Sequence, residues 1–273
     1  MREDLSKSGL KEIEAKAYLS RKDIEELILP KEVERIGNWA FAHMKNLKKL
    51  IVPCREILLG KEVLKGCDSL EQICIDKTGQ GNHDCIGNNG AFRDMSYLLA
   101  AAFRYLNAQE LFMPQEAGSR AWMAAFDSRL CAFVTGGDEA GFEPMWFGGE
   151  EDYDDNDTNV ELYRKKRQQE KLKVVVLRLI HDTFLTETDR ARFQTFLKHA
   201  LLHEDAEAFW QALVGTYKDD SCLVHVLADA GCLQDQTLAL RMLSDICPEG
   251  KAVLLACCAK QTQQERFFND MRL

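Results

Sequence analysis

Residues 27–53 read LILPKEVERIGNWAFAHMKNLKKLIVP, and the stretch closes on a near-copy of its own opening. Leu27-Ile28-Leu29-Pro30 returns as Leu50-Ile51-Val52-Pro53, 23 residues later. Carried outward, the same offset places Ile36-Gly37 on Leu59-Gly60 and Ala40-Phe41 on Val63-Leu64. It also places Met44 on Cys67, Leu47 on Leu70, Leu50 on Ile73 and Val52 on Ile75. A fixed period of this size marks a solenoid, whose units bury their apolar faces only by stacking on one another. Solenoid units supply surfaces more often than reaction centres.

Each unit has a physical reading. Ile24, Leu27 and Leu29 are spaced for a short strand with inward side chains, and Pro30 ends it because it has no amide to donate. Ile36-Gly37 makes a tight return, where glycine tolerates positive φ. Ala40-Phe41 and Met44 predict a one- or two-turn helical segment, and Leu47 leads into the next strand. Alternation sets Ile28 and Ile51 opposite Leu27 and Leu50. They are either covered by a flanking element or form an exposed apolar patch.

The unit resembles the BspA-like leucine-rich repeat, a leucine-rich strand followed by P-x-x-V-x-x-I-G-x-x-A-F-x-x-C-x-x-L. Pro30, Val33, Ile36, Gly37, Ala40, Phe41 and Leu47 fit this pattern; Met44 stands at its cysteine, which Cys67 restores one unit later. A third unit shows as Ile86-Gly87, Ala91-Phe92, Met95 and Leu98, and Leu111-Phe112-Met113-Pro114 looks like one more strand edge. The resemblance implies a curved solenoid with a short parallel sheet and a role in protein recognition.

The rest of the chain reads differently. Segment 10–19, with Leu10, Ile13 and Ala17 on one side, is expected to form an amphipathic N-terminal capping helix within residues 1–21. The repeat solenoid then spans 22–117, and a connecting segment spans 118–157. In that segment Trp122, Phe126, Leu130 and Phe133 share a helical face. Gly136-Gly137 and Gly148-Gly149 flank Phe142, Met145, Trp146 and Phe147. No Lys-Ser/Thr follows these glycines, so a phosphate cradle is not expected. The acidic run 150–157 has Asp152, Asp154 and Asn156 at calcium-loop spacing. However, Asp157 stands where glycine is needed and Tyr163 where the bidentate Glu belongs. Thr158-x-x-Glu161 reads better as a capping box for a helix over 159–182.

Helices are then expected near 188–202, 204–216, 220–230, 235–246, 249–260 and 262–271, with Pro248 as a stop. Short connections make this region, 158–273, a stack of helical hairpins. It resembles the ankyrin-like helical segments of some bacterial repeat proteins, without their signature peptide. The fold class is therefore α+β: a short leucine-rich-repeat solenoid with parallel strands, followed by an all-helical hairpin stack.

Composition narrows the function. A formal charge of −9 argues against a nucleic-acid backbone as partner. No apolar run nears the roughly 18 residues a membrane helix needs, so no membrane insertion is expected. The start, Met1-Arg2-Glu3-Asp4, lacks the pattern of a secretory signal. Ten cysteines are scattered without a C-x-x-C pair and read as reduced thiols in a cytoplasm. His199 and His203 have half a zinc-site spacing, but Ala200 replaces the glutamate a zincin needs. His83, Cys85 and Cys74 form a loose set without metal-site spacing. His181-Asp182 has no nucleophile elbow to serve. No catalytic, cofactor or metal site is expected. The expected function is a non-enzymatic scaffold for an unknown protein partner, with Ile28, Ile51, Phe142, Trp146 and Phe147 as candidate contacts. A surface adhesin, or an enzyme with an unrecognised site, is the alternative.

Overall fold

The structure is a computed structural model that describes residues 1–77, 95–140, 142, 159–201, 206–217, 221–234, 245–257 and 259. It divides into two compact units. One is Met1–Cys131 with Thr183–Leu185; the other is Ala132–Asp182 with Thr186–Leu273.

The first unit opens as the expected solenoid. Among the described residues, seven strands alternate between two parallel sheets: β1 (Arg2–Asp4), β2 (Glu12–Ile13), β3 (Glu26–Ile28), β4 (Arg35–Ile36), β5 (Lys49–Pro53), β6 (Leu58–Leu59) and β7 (Gln72–Asp76). The larger sheet runs β1-β3-β5-β7 and the smaller β2-β4-β6. Leu27 pairs with Leu50 and Leu50 with Ile73, so the 23-residue offset is the sheet register. Val52 pairs with Ile75, and Leu29 donates its amide to Ile51 at 2.9 Å, which continues the second inward ladder. The other sheet stacks Ile13, Ile36 and Leu59. Val33, Ala40, Phe41, Met44 and Leu47 fill the space between the sheets and are fully buried.

The turns follow the same offset. Lys16, Tyr18 and Ser20 donate their amides to the carbonyls of Asn38, Ala40 and Ala42, and Trp39, Phe41 and His43 donate to Lys61, Val63 and Lys65. This corrects the expectation of a helical segment at Ala40–Met44. The amides point along the solenoid axis to the next turn and not back to residue i−4. Two left-handed residues per turn enforce this. Lys16, Trp39 and Glu62 have φ of 61°, 54° and 50°, and Ser20, His43 and Gly66 have 60°, 58° and 69°.

Gly37 has a different role from the one expected. Its φ is not left-handed; it is needed because the preceding turn passes too close for a side chain. A Cβ there would run into the Ala15 backbone, and one on Gly60 would stand 2.5 Å from the Asn38 nitrogen.

The capping helix over 10–19 does not form. Residues 1–21 build a further solenoid turn, with β1 and β2 as its strands. The four-residue step from Ile13 to Ala17 is the step from Ile36 to Ala40, so repeat spacing resembles a helical face. The Tyr18 ring lies tilted against Phe41, with centroids 5.8 Å apart. This first turn departs from the others at two places. Glu3 holds the ladder place of Leu27, and Glu14 the place of Gly37.

Beyond β7, the expected Ile86-Gly87 and Ala91-Phe92 lie outside the described residues. Met95 and Leu98 belong to helix α1 (Met95–Arg104), which packs on β7. Gln72 donates to Ser96 Oγ at 3.3 Å, and Arg104 donates to the Leu70 carbonyl at 3.3 Å. The strand expected at Leu111–Pro114 is instead a 3-10 turn, Gln109–Leu111. The Leu111 and Phe112 amides bond locally to the Ala108 and Gln109 carbonyls, and the Leu111 carbonyl accepts from the Trp122 indole at 2.8 Å. Helix α2 (Arg120–Thr135) buries Trp122, Phe126, Leu130 and Phe133, as their spacing predicts.

In the second unit, α3 (Val160–Ile180), α4 (Glu187–Leu201), α5 (Ala206–Tyr217) and α6 (Cys222–Asp229) pack on one another. Asn159 caps α3, accepting from the amides of Glu161 and Leu162, so the cap is one residue later than the Thr158 box. Thr186 caps α4 through the Asp189 amide at 3.1 Å. Helical backbone ends at Asp245, ahead of Pro248 as expected, and resumes over residues 248–257, so Pro248 also opens a helix. Trp210 is fully buried and donates its indole N–H to Asp245 at 2.9 Å.

Candidate partner-binding groove

The residues singled out from the sequence do not meet at one place. Ile28 and Ile51 are each 2 % exposed and form a small buried cluster with Cys74, which corrects the expectation of an outward contact surface there. Phe142 is half-buried, its ring 5.2 Å from Tyr163, whose hydroxyl donates to the Ala140 carbonyl. Trp146, Phe147, the acidic run 150–157, His83, Cys85 and His203 lie outside the described residues. His199 is exposed, and among the described residues no cluster of His, Cys, Asp and Glu could hold a metal.

The cysteines divide. Cys67 and Cys232 are buried, and desolvation pushes their thiols up to about 12 and about 11, so they act as small apolar groups. Cys74 is disulfide-bonded, which corrects the expectation that every thiol is reduced.

Within the second unit the Lys171 ammonium is nearly enclosed, at 3 % side-chain exposure. It donates to the Gly136 carbonyl and to Asp138, both at 2.6 Å. Burial pushes the Asp138 carboxyl up, but the Lys171 and Gln168 hydrogen bonds outweigh it and hold the group below its ordinary value. No buried side-chain nitrogen or oxygen of Lys171, Asp138 or Gln168 is left without a partner. It ties α3 to the Gly136-Gly137 turn and presents no reactive group.

A groove of about 800 Å³ lies in the first unit, between the β6 strand and residues 109–116. The register that brings Leu58 beside Arg35 puts it on the groove wall, 58 % exposed. Met113, 44 % exposed, faces the groove from the other segment. Gln109 joins the two segments. With its amide oriented to match its neighbours, it donates to the Gly60 carbonyl and accepts from the Glu62 amide, both at 3.1 Å. Two lining charges are already engaged, Arg55 by Glu34 at 3.4 Å and Glu110 by Arg129 at 2.6 Å. Sequence reading missed Leu58 and Met113. The signal for Leu58 was present, because the 23-residue offset sets it against Arg35, an apolar residue at an outward position.

Residues 7–115 match the BspA type leucine rich repeat region, in six copies. The match covers six of the seven strands, β2 to β7, together with the groove-forming turn and α1. It supports a protein-interaction or adhesion-type repeat protein. No curated protein and no solved structure matches the chain. The match stops at residue 115, and the helices beyond it support a helical region without extending the likeness to ankyrins. Among the described residues, no helix is long and apolar enough to cross a membrane.

Proposed function

We propose that this protein is a non-enzymatic interaction module whose repeat region holds a protein partner in the groove between β6 and residues 109–116. The observation that carries the reading is the pair Leu58 and Met113. Both are large apolar side chains left in solvent on facing walls of one concave site. Concave sites with apolar walls and a few polar groups are where ligands and partner side chains settle. A photocrosslinking amino acid at position 58 should capture a discrete protein adduct in cells, and Met113→Asp should abolish that adduct. The same probe at exposed Val160 serves as control. Absence of an adduct at 58, or identical adducts at both positions, would count against the groove.

A second reading, a surface adhesin, is favoured by the disulfide at Cys74, since such bonds persist in oxidising compartments. Rapid alkylation of freshly lysed cells separates the two settings. A blocked Cys74 supports the adhesin, and an alkylated Cys74 supports the cytoplasmic scaffold.

A further inference from the structure

The turn face of the solenoid carries two features that repeat geometry does not require. The first is Trp39. Its backbone sits at φ 54°, where glycine is favoured and a bulky side chain is costly. The equivalent places hold Lys16 and Glu62. The indole is half-buried, donates to Glu62 at 2.9 Å, and has the Lys16 ammonium 5.5 Å above its ring. Its polar edge is satisfied and its orientation is fixed, so it would lose little freedom on meeting a partner.

The second feature is charge. The turn rows around Trp39 carry Lys16, Lys22, Lys45, Lys61 and Lys65 against Glu14, Glu62 and Asp68. Lys65 is held by Glu62 at 3.0 Å, and that acid stays ionised because its hydrogen bonds to Trp39 and Lys65 keep its carboxyl low. Lys16, Lys45 and Lys61 have no ion pair among the described residues, whereas on the strand side three acids are answered. Glu25 meets Lys48 at 3.5 Å, Glu26 meets Arg2 at 3.7 Å and Glu34 meets Lys11 at 3.7 Å. A basic surplus beside an anchored aromatic, in a chain of formal charge −9, is a local arrangement and not a consequence of composition.

We infer that this face docks an acidic segment of a partner protein, with Trp39 as its apolar anchor and Lys16 and Lys61, in the turns before and after, as its charge partners. Lys61 also lines the edge of the apolar groove, so the two surfaces adjoin, but Trp39 and Lys16 lie outside that lining and the inference does not rest on the groove. Aromatic anchors ringed by complementary charge carry much of the energy in such contacts.

The test uses the full chain and a fluorescein-labelled peptide, Glu-Tyr-Glu-Glu-Tyr-Glu, followed by anisotropy. Saturable binding that weakens with added salt is expected. The double variant Lys16→Glu/Lys61→Glu should weaken it by at least about tenfold. Trp39→Gly should do the same while keeping the fold, because glycine accepts the left-handed backbone. If Trp39→Gly unfolds, the lysine variant decides alone, since both its sites are exposed. No saturable binding at low salt, unchanged binding in the lysine variant, or equal competition by duplex DNA would overturn the inference. The last result would make the face a general polyanion surface.

Discussion

In the repeat turns of residues 1–77, alternate backbone amides reach forward by a whole turn; in the helices of residues 159–257, the amides close within each helix. Trp39, Phe41 and His43 donate to residues 22 positions further on, but the amide of His181 returns to Leu177. A turn of the solenoid therefore has only isolated bends of its own, such as Ala40 to Gly37 and Ala42 to Trp39, and no continuous ladder to fall back on. Its stability resides in its neighbours, as in any one-dimensional stack. A helix of the second unit has its own ladder and owes its neighbours mainly the burial of one face. Damage should therefore spread in the first region and stay local in the second.

The strongest way to break this contrast is Leu50→Asp. Leu50 sits between Leu27 and Ile73 in the buried ladder, and a carboxylate there has no partner. The loss should be roughly 4–5 kcal/mol or more, with turns on both sides unfolding together. A thermal midpoint near that of the wild type would refute the stacking account. Phe41→Ala should cost about 3–5 kcal/mol by leaving a cavity under Tyr18. Chemical denaturation would measure it, and a cost below the next two would misplace the core.

On the helical side, Asp138→Ala strands the enclosed Lys171 ammonium. The cost should be about 2–3 kcal/mol, below that of a fully buried pair because Asp138 is 30 % exposed. The same pair gives a pH dependence. The Asp138 carboxyl lies lower folded than unfolded, so its contribution is complete above the ordinary carboxylate value and is lost as pH falls through the folded one. Asp138→Asn should flatten that part of the acid-denaturation curve, and an unchanged curve would contradict the pairing. The smallest effect expected is Asn159→Ala, at about 1 kcal/mol for a lost helix cap. Glu161→Ala should cost less, because its pair with Arg164 is exposed. If the two rank in reverse, the cap has been misassigned.

The same contrast governs how far the sequence could be read. The offset that aligns Leu27 with Leu50 predicted the strand register because each apolar residue has a counterpart one turn away. The offset failed at the first turn. There Glu3 and Glu14 replace the ladder leucine and the close-packed glycine, and Ile13 and Ala17 resemble a helical face. It also could not show that Ala40–Met44 turns without forming a helix, because left-handed Trp39 and His43 carry no residue-type signal. In the helical region the apolar spacing of α2 and α3 was enough to place them. Pro248 was ambiguous, since proline suits a helix start as well as an end. Of the candidate contacts, Ile28 and Ile51 were legible as a face but not as a covered one. Met113 was hidden by the expectation of a strand at 111–114.

Amide hydrogen exchange on wild type and Leu50→Asp, compared residue by residue, tests the contrast most directly. In the wild type, the amides of Tyr18, Phe41 and His43 should be protected although no helix contains them. In the variant, all three should lose protection together while the amides of Leu172 through Leu179 keep theirs. Unprotected turn amides in the wild type, or a loss confined to the turn that carries the substitution, would contradict it.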